Sequence, residues 1–280
     1  MKSRTIHQMT PARHTNRLWL AANAFGATLR RDLVVTRREL VQFLVQALIQ
    51  PMFFLLIFCK ILPGIGLTAG NFAALLLPGI VGLTELMAAI QGITLPLVLD
   101  LGYAREIDDR LLAPMPVWLV AAEKVLFAAL RGMVAGAVIF PAAWWVLGSR
   151  YAVRGDRIGV LIGMIVLAAF AGSGIGLVIG TVVKPEQISL MFSMILTPLL
   201  FTGCTYYPWG ALSGIRWFQV ITLFNPLTYA AEGLRYAMVP PIHGHAMPTL
   251  PMPWVLAALA ATLVLCFAFG ARTFRARVVS

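Results

Sequence analysis

The chain has 280 residues, of which 60% are hydrophobic and only 12% are charged, and its mean hydropathy is +0.85. Average globular chains carry about 25% charged residues, so this chain has too few polar side chains to cover a folded domain in water. The composition excludes an ordinary soluble protein and predicts a bilayer as the solvent. The net charge of +11 does not predict nucleic-acid binding, because the basic residues are concentrated near the two ends of the chain.

Residues 1–40 precede the first long apolar run and have an amphipathic pattern of their own. Apolar residues recur at helical spacing, while arginines project from the other side. This pattern predicts a cytoplasmic helix on the membrane surface, with its arginines near anionic lipid headgroups. A solvated helix beside the membrane is the alternative. The predicted apolar positions are Leu18, Ala22, Phe25, Leu29, Leu33 and Leu40.

Six apolar runs reach the length of about 20 residues that a membrane-spanning helix needs. They predict an all-α integral membrane protein with a single six-span domain over residues 41–271 and a short tail over 272–280. Between spans five and six, residues 207–240 are rich in aromatic residues but interrupted by proline and glycine, which predicts short re-entrant helices at the outer face. The predicted spans are 41–62, 72–99, 117–147, 158–183, 187–206 and 253–271.

The distribution of lysine and arginine predicts the orientation of these spans. With the N-terminus inside, 14 of these residues lie in predicted cytoplasmic segments and five in predicted outer segments. Because positive charge is enriched on the cytoplasmic side of membrane proteins, both termini are expected in the cytoplasm.

Glycines spaced four residues apart occur in two of the predicted spans. Such spacing lets a neighbouring helix approach closely. It predicts tight helix packing at Gly132 and Gly136 in span three, and at Gly172, Gly176 and Gly180 in span four.

Two oppositely charged residues fall inside predicted spans. Glu85 lies 14 residues before the cytoplasmic end of span two, and Arg131 lies 14 residues after that of span three, so each is about 21 Å deep. A lone charge at mid-bilayer costs about 2.5–3.5 kcal/mol on insertion scales. We therefore expect Glu85 and Arg131 either to form an ion pair that keeps the two helices in register or to line a translocation path.

The sequence contains no recognisable motif for nucleotide binding, catalysis or metal binding. No GxxxxGK[ST] loop occurs, so we expect no enzymatic activity on this chain, and we expect ATP and Mg²⁺ to be bound by a separate polypeptide. All four histidines lie outside the predicted spans, which removes the usual general base from the membrane interior. His243 and His245 have no third ligand nearby, so neither a metal site nor any other cofactor is predicted.

Three ordered segments in the C-terminal half resemble the signature of the ATP-binding cassette (ABC) type-2 permeases, a family of drug-resistance and polysaccharide or lipid exporters. They are Lys184–Gln187, Leu199–Pro208 and the Asn-Pro-Leu-Thr-Tyr-Ala-Ala-Glu-Gly-Leu-Arg segment Asn225–Arg235. The resemblance implies an outer gate or re-entrant motif composed of Asn225, Pro226, Tyr229, Glu232 and Arg235.

The segment over residues 100–116 is similar to the cytoplasmic coupling helix of the same family, which docks on the ATPase. Its four acidic residues and two arginines also favour charge-assisted contacts with the cleft of a partner. A solvated loop is the alternative. The resemblance assigns ATPase coupling to Arg105, Glu106, Asp108, Asp109 and Arg110.

The resemblance implies the permease subunit of an ATP-driven exporter in a bacterial or archaeal cytoplasmic membrane. Two copies, or one copy with a sister subunit, would join two ATPase subunits. The few polar residues in the spans favour a drug or lipid-like cargo, but exporters of polysaccharides or lipid-linked glycans share the motifs. From other classes, an ion-gradient-driven secondary transporter would be expected to show inverted repeats and several paired charges, and a lipid-metabolising enzyme would need clustered Asp or His.

Overall fold

A computed structural model describes residues 17–66, 72–104, 116–148, 153–240 and 248–279. Within these ranges the regular structure is entirely helical, which confirms the predicted all-α class. The α-helices are α1 (Arg17–Arg38), α2 (Leu40–Leu56), α3 (Phe72–Leu99), α4 (Val117–Leu147), α5 (Ile158–Val182), α6 (Ile188–Thr202), α7 (Arg216–Thr222), α8 (Pro226–Met238) and α9 (Met252–Val279).

Short helical turns extend several of these helices. A π-helical turn, Ile57–Ile61, and a last α-helical turn, Leu62–Gly64, prolong α2, and a second π-helical turn, Asp100–Ala104, prolongs α3. Two 3₁₀ turns, Pro185–Gln187 and Trp209–Gly214, precede α6 and α7.

Five helices within the described ranges are long and apolar enough to cross a membrane, and they agree with five of the six predicted spans. The sixth predicted span, 187–206, contains α6, whose 15 residues extend over about 22 Å. That length is shorter than the hydrocarbon core of about 30 Å. The last helix is longer than predicted, because the expected tail continues it to Val279. The five are Leu40–Gly64, Phe72–Gly102, Val117–Leu147, Ile158–Val182 and Met252–Val278.

Helix α3 lies at the centre of the bundle. In its most apolar stretch 78% of the residues are buried, against 11% in α2 and 17% in α9. It packs on α4, α5 and α8. We call the end of the bundle near Leu99 and Val117 the predicted cytoplasmic end, and the end near Phe72 and Leu147 the predicted outer end.

Glycines allow α4 and α5 to pack closely on α3, as the spacing of four residues between these glycines predicts. A Cβ atom built at Gly136 of α4 would lie 3.1 Å from the Cβ of Glu85. One at Gly176 of α5 would lie 2.4 Å from the Cγ2 of Ile93 and 2.7 Å from the carbonyl oxygen of Ile90. Contacts this short leave no room for a side chain, so the predicted close packing is confirmed in both helices.

Helix α1 packs at the predicted cytoplasmic end of the bundle. Ala21 is buried and Phe25 is half-buried against a cluster that includes Val125 of α4 and Phe274 of α9. Of the predicted apolar stripe, Ala22 and Leu33 are exposed, whereas Phe25 packs on the bundle. The position of α1 on a membrane surface stays a prediction.

Residues 207–240 form short helices, as predicted, and the longest of them is deeply buried. Helix α8 lies among α3, α5 and α9 at the predicted outer end. A Cβ atom at Gly233 would lie 2.2 Å from the Cε of Met164 and 2.9 Å from the Cγ1 of Val255. Since α8 is enclosed by other helices, it is a core element of this end of the bundle.

Candidate functional site

A cleft of about 190 Å³ lies between α2, α3 and α4. Polar side chains from all three helices line it: Gln46 and Gln50 of α2, Thr84 and Gln91 of α3, and Arg131 of α4. We call it the glutamine cleft. Its apolar lining includes Phe43, Pro51, Leu83, Met87 and Leu95.

Helical spacing brings these polar residues together. Phe43, Gln46 and Gln50 are three and four residues apart on α2, so they project from one face, as do Thr84 and Gln91 on α3. The glutamines are exposed because the cleft is open on one side. Beside this polar face, α2 carries an exposed apolar stripe at every fourth position: Val41, Val45, Ile49, Phe53, Ile57, Ile61 and Ile65.

Arg131 extends across the cleft toward α2. The guanidinium carbon lies 4.5 Å from the centroid of the Phe43 ring, which is a cation–π contact. The side chain passes beside Gly92 of α3, where a Cβ atom would lie 3.6 Å from the Cδ of Arg131, in ordinary van der Waals contact. Within the described residues, the buried Nε of Arg131 has no hydrogen-bond acceptor.

Glu85 is turned away from the cleft, into the contact between α3, α4 and α5. It is fully buried, with its carboxyl group beside Gly136 and the backbone of Ala169. Among the described residues, neither carboxylate oxygen has a hydrogen-bond partner. The predicted ion pair between Glu85 and Arg131 is therefore wrong, and only Arg131 lines the cleft.

The direction in which helical side chains lean explains why the two groups do not meet. Each Cα–Cβ bond tilts toward the N-terminus of its helix. Because α3 and α4 are antiparallel, Glu85 leans toward the predicted outer end and Arg131 toward the predicted cytoplasmic end. The matched height of the two positions is confirmed, since a Cβ atom at Gly132 would lie 2.9 Å from the carbonyl oxygen of Glu85.

A network that we call the outer clamp, formed by Asn225, Glu232 and Arg235 with their partners, lies at the predicted outer end. Asn225 caps α8, because its side chain accepts a hydrogen bond of 2.9 Å from the Leu227 amide. Its Nδ2 donates to the Leu199 carbonyl at 2.8 Å and to the Thr202 hydroxyl at 2.9 Å. Asn225 thereby joins the end of α6 to the start of α8.

Pro226 and Tyr229 support the same junction. Pro226 occupies the first position of α8, where its fixed φ suits a helix and no amide hydrogen is needed. The hydroxyl of Tyr229 donates to the carbonyl of Leu223 at 2.8 Å, across the break between α7 and α8. The structure therefore brings all five residues of the predicted outer motif together around α8.

Glu232 and Arg235 form a fully buried ion pair on α8. Glu232 also accepts hydrogen bonds from the amides of Trp209 at 2.9 Å and Leu250 at 3.2 Å. Arg235 donates to the carbonyl of Cys204 at 3.0 Å and to that of Leu75 at 3.4 Å. Buried charges require such partners. The outer clamp thus joins the start of α3, the end of α6, the turn before α7 and the segment before α9 to α8.

The loop before α5 also docks on α8. Arg157 lies with its guanidinium carbon 4.0 Å from the centroid of the Tyr236 ring and donates to the Tyr236 carbonyl at 3.2 Å. Arg154 forms an exposed ion pair with Asp156, and this hydrogen bond lowers the pKa of the Asp156 carboxyl below its ordinary value. Arg154 and Arg157 therefore have local structural partners at the predicted outer end, although positive charge is expected mainly on the cytoplasmic side.

Two contacts at the predicted cytoplasmic end were missed by sequence reasoning. Lys124 of α4 forms an ion pair of 2.9 Å with Asp32 of α1, and both side chains are nearly buried. Arg277 of α9 donates to the carbonyls of Val182 and Val183 at 3.3 Å, at the C-terminal end of α5 where a cation is favourable. The partners are more than 90 residues apart, so no local pattern signals either contact.

Some predicted residues lie outside the described ranges. These are the coupling residues Arg105, Glu106, Asp108, Asp109 and Arg110, and the pair His243 and His245. Their roles stay predictions. In the part of the chain that the structure describes, no group of three or more His, Cys, Asp or Glu residues could hold a metal ion.

Comparison with known proteins identifies the family. A family model described as ABC-2 type transporter matches residues 23–239, from within α1 to the residue after α8. This region includes the glutamine cleft and all of the outer clamp except Leu250. No curated protein gives a significant match. Because the family model covers most of the chain, the resemblance is confirmed, and the protein belongs to the ABC-2 type transporter family of membrane permeases.

Proposed function

We propose that the chain is the permease subunit of an ATP-driven exporter that moves an amphipathic drug or lipid-like cargo through the glutamine cleft. The observation that carries this proposal is a polar, open cleft between α2, α3 and α4 in helices that are otherwise apolar. Polar side chains inside a membrane are costly and usually mark a substrate path. ATP and Mg²⁺ bind to a separate ATPase subunit.

The proposed topology has six crossings, with both termini in the cytoplasm of a bacterial or archaeal cell and the chain in its cytoplasmic membrane. The position of α6 supports a sixth crossing in spite of its length. Its first residues, Ile188 and Met191, lie with Thr94 near the predicted cytoplasmic end. Its last turn is bonded to Asn225 near the predicted outer end. In this topology α7 and α8 form the re-entrant segment.

Helix α1 is proposed to lie on the cytoplasmic membrane surface. Its exposed side carries Leu33, Val34 and Val35, while Arg30 and Arg31 are also exposed and can reach lipid headgroups. The ion pair from Asp32 to Lys124 holds this helix to α4. A push on the surface helix is therefore transmitted to a wall of the glutamine cleft.

A second permease copy, identical or a sister subunit, completes the proposed cargo site. A cleft of about 190 Å³ is smaller than the roughly 300–1,000 Å³ of typical small-molecule sites. It is open on the side of α2, whose apolar stripe is exposed, as are Leu190, Met194 and Phe201 of α6. Two chains facing each other through these helices would enclose a site of adequate size.

Coupling to ATP is proposed to occur through residues 100–116, which connect α3 to α4. Both helices contribute walls to the glutamine cleft, so displacement of their shared connection changes the cleft directly. The closed pair of ATPase subunits would bind the inward-open and outward-open states of the permease with different affinities. Closure would therefore shift the permease from one state to the other. Export is the direction favoured by the family resemblance.

The experiment is co-expression with a candidate ATPase subunit, followed by co-purification and a transport assay in proteoliposomes. The expected result is a stable complex that moves a fluorescent amphiphile only when ATP is supplied. Replacing Gln50 and Gln91 together by leucine should abolish transport without dissociating the complex. Replacing Gln42 by leucine is the matched control on α2, because Gln42 is exposed but does not line the cleft, and it should preserve transport. A complex that transports normally with the two cleft glutamines replaced would contradict the cleft as the path.

A further inference from the structure

Arg131 brings a positive charge into the glutamine cleft without an acidic partner. Glu85, the acid closest in height, is turned toward Gly136, and no described carboxylate forms an ion pair with Arg131. Glu39 acts on Arg131 electrostatically, but it is exposed at the start of α2 and does not line the cleft. A guanidinium group stays protonated in proteins. The cleft therefore keeps a net positive charge.

The orientation of Arg131 leaves hydrogen-bond donors available to a ligand. The Phe43 ring covers one face of the guanidinium group, while the donors project from its edge. Within the described residues the Nε–H has no acceptor, and an unsatisfied buried donor is costly. A planar fork of donors fits an acidic group with two or more oxygens, and the amides of Gln46, Gln50 and Gln91 can add further bonds.

The surroundings of this charge are apolar and continue along α2. Leu83, Met87 and Leu95 line the cleft itself. On α2, outside the cleft, an open apolar face is formed by Val45, Leu48, Ile49, Met52, Phe53 and Leu56. A positive anchor that reaches from α4 to α2, together with an apolar face on α2, matches a molecule that has an anionic group and a hydrocarbon chain.

We propose that the glutamine cleft binds an anionic amphiphile, whose phosphate or carboxylate group is held by Arg131 and the cleft glutamines and whose chain lies along α2. This inference rests on the proposed function, because it states the chemical class of the cargo. It excludes cationic amphiphiles as the preferred cargo, since Arg131 would repel them.

The test is equilibrium binding of radiolabelled dodecyl phosphate to the full chain in phosphatidylcholine nanodiscs, with empty nanodiscs as the background. Unlabelled dodecyl phosphate should displace the probe. Dodecyltrimethylammonium and inorganic phosphate should require at least about tenfold higher concentrations, because the first lacks the negative charge and the second lacks the chain. The proposal would be overturned if the cationic amphiphile displaced the probe as well as unlabelled dodecyl phosphate does. It would also be overturned if inorganic phosphate did so, since the site would then bind an adventitious ion only.

Variants of the anchor make the test specific to the site. Arg131→Gln should weaken binding of dodecyl phosphate by about tenfold or more, because a charge-assisted hydrogen bond is lost, while Arg131→Lys should weaken it less, because lysine keeps the charge but not the planar fork of donors. Arg157→Gln is the matched control, since Arg157 also lies over an aromatic ring but at the predicted outer end. Unchanged affinity in folded Arg131→Gln, or an equal loss in Arg157→Gln, would contradict the assignment.

The binding assay tests the identity of the cargo independently of the proposed exporter function. Neither ATP nor an ATPase subunit is present in the binding assay, and selectivity among the probes is measured on the unmodified chain. If the complex transports an amphiphile but the cleft shows no preference for the anionic probe, only the identity of the cargo is wrong. If the cleft binds the anionic probe but no ATPase supports transport, the exporter proposal fails and the site stands.

Discussion

Glu85 and Arg131 lie at the same level on antiparallel helices, yet their charged groups are directed to opposite sides of the contact between α3 and α4. Glu85 is enclosed beside Gly136, while Arg131 lies over Phe43 in the glutamine cleft. The two side chains therefore lie in separate environments, so of the two expected arrangements the ion pair is not formed. The charge of Arg131 is available to the cleft, whereas Glu85 is buried beside the backbone of Ala169 and forms no ion pair among the described residues.

The first prediction concerns this separation. Glu85→Gln should leave the free energy of unfolding unchanged or raise it, because the amide keeps the shape of a side chain whose carboxylate oxygens lack hydrogen-bond partners. In a double-mutant cycle with Arg131→Gln, the coupling energy should stay below about 0.5 kcal/mol. Unfolding in mixed micelles with increasing SDS measures both quantities. A coupling energy of about 2 kcal/mol or more would show that the two residues are paired in the folded protein.

The second prediction concerns the outer clamp. Glu232→Gln should lower the free energy of unfolding by about 3 kcal/mol or more, because it leaves the buried charge of Arg235 uncompensated. The matched control is Asp156→Asn, whose ion pair with Arg154 is exposed and should contribute nothing measurable. Thermal denaturation followed by size-exclusion chromatography ranks the two variants. Equal melting temperatures for both would show that the clamp does not stabilise this end of the bundle.

The third prediction compares two glycines of α5. Gly176→Ala should destabilise the protein by about 1–3 kcal/mol, because the new methyl group would overlap Ile93 and the backbone of Ile90. Gly163→Ala should be neutral or stabilising, since no atom lies within 4 Å of a Cβ there and alanine favours a helix. Unfolding of the two variants under identical conditions checks the difference. If Gly163→Ala lost as much stability as Gly176→Ala, close packing on α3 would not be the cause.

The fourth prediction concerns the attachment of α1. Asp32→Asn should weaken the bond to Lys124 and increase amide hydrogen exchange across α1 by about tenfold, since a nearly buried charged hydrogen bond is weakened. Hydrogen-exchange mass spectrometry measures this directly. Arg31→Gln is the control, because Arg31 is exposed on the same turn. The charge exchange Asp32→Lys with Lys124→Asp should restore part of the protection. Unchanged exchange across α1 in Asp32→Asn would exclude the ion pair as the attachment.

The sequence predicts the long helices well because hydropathy alone sets their length. Span three is predicted at 117–147 and observed at Val117–Leu147. The prediction is less accurate where backbone geometry ends a helix. Helix α6 stops at Thr202, and Cys204 then adopts a left-handed φ of +52°, whereas the apolar run continues to residue 206. Hydropathy carries no information about such a turn.

The functional residues were predictable in identity but not in their contacts. The outer motif is visible in the sequence, yet Arg235 bonds to the carbonyl of Leu75, 160 residues away. The depth of Glu85 and Arg131 follows from counting residues, whereas their separation depends on the opposite lean of side chains on antiparallel helices. The contact between Lys124 and Asp32 has no sequence signature, because neither residue belongs to a local pattern.

The most direct measurement of the central claim is cargo transport by the permease reconstituted with an ATPase subunit whose P-loop lysine has been replaced. Proteoliposomes that contain the complex with the unmodified ATPase should accumulate dodecyl phosphate or a fluorescent amphiphile only when ATP is supplied. The complex with the altered ATPase should assemble equally well and transport nothing, because the permease has no phosphate-binding loop of its own. Transport that continues at the normal rate after loss of that lysine would contradict the account.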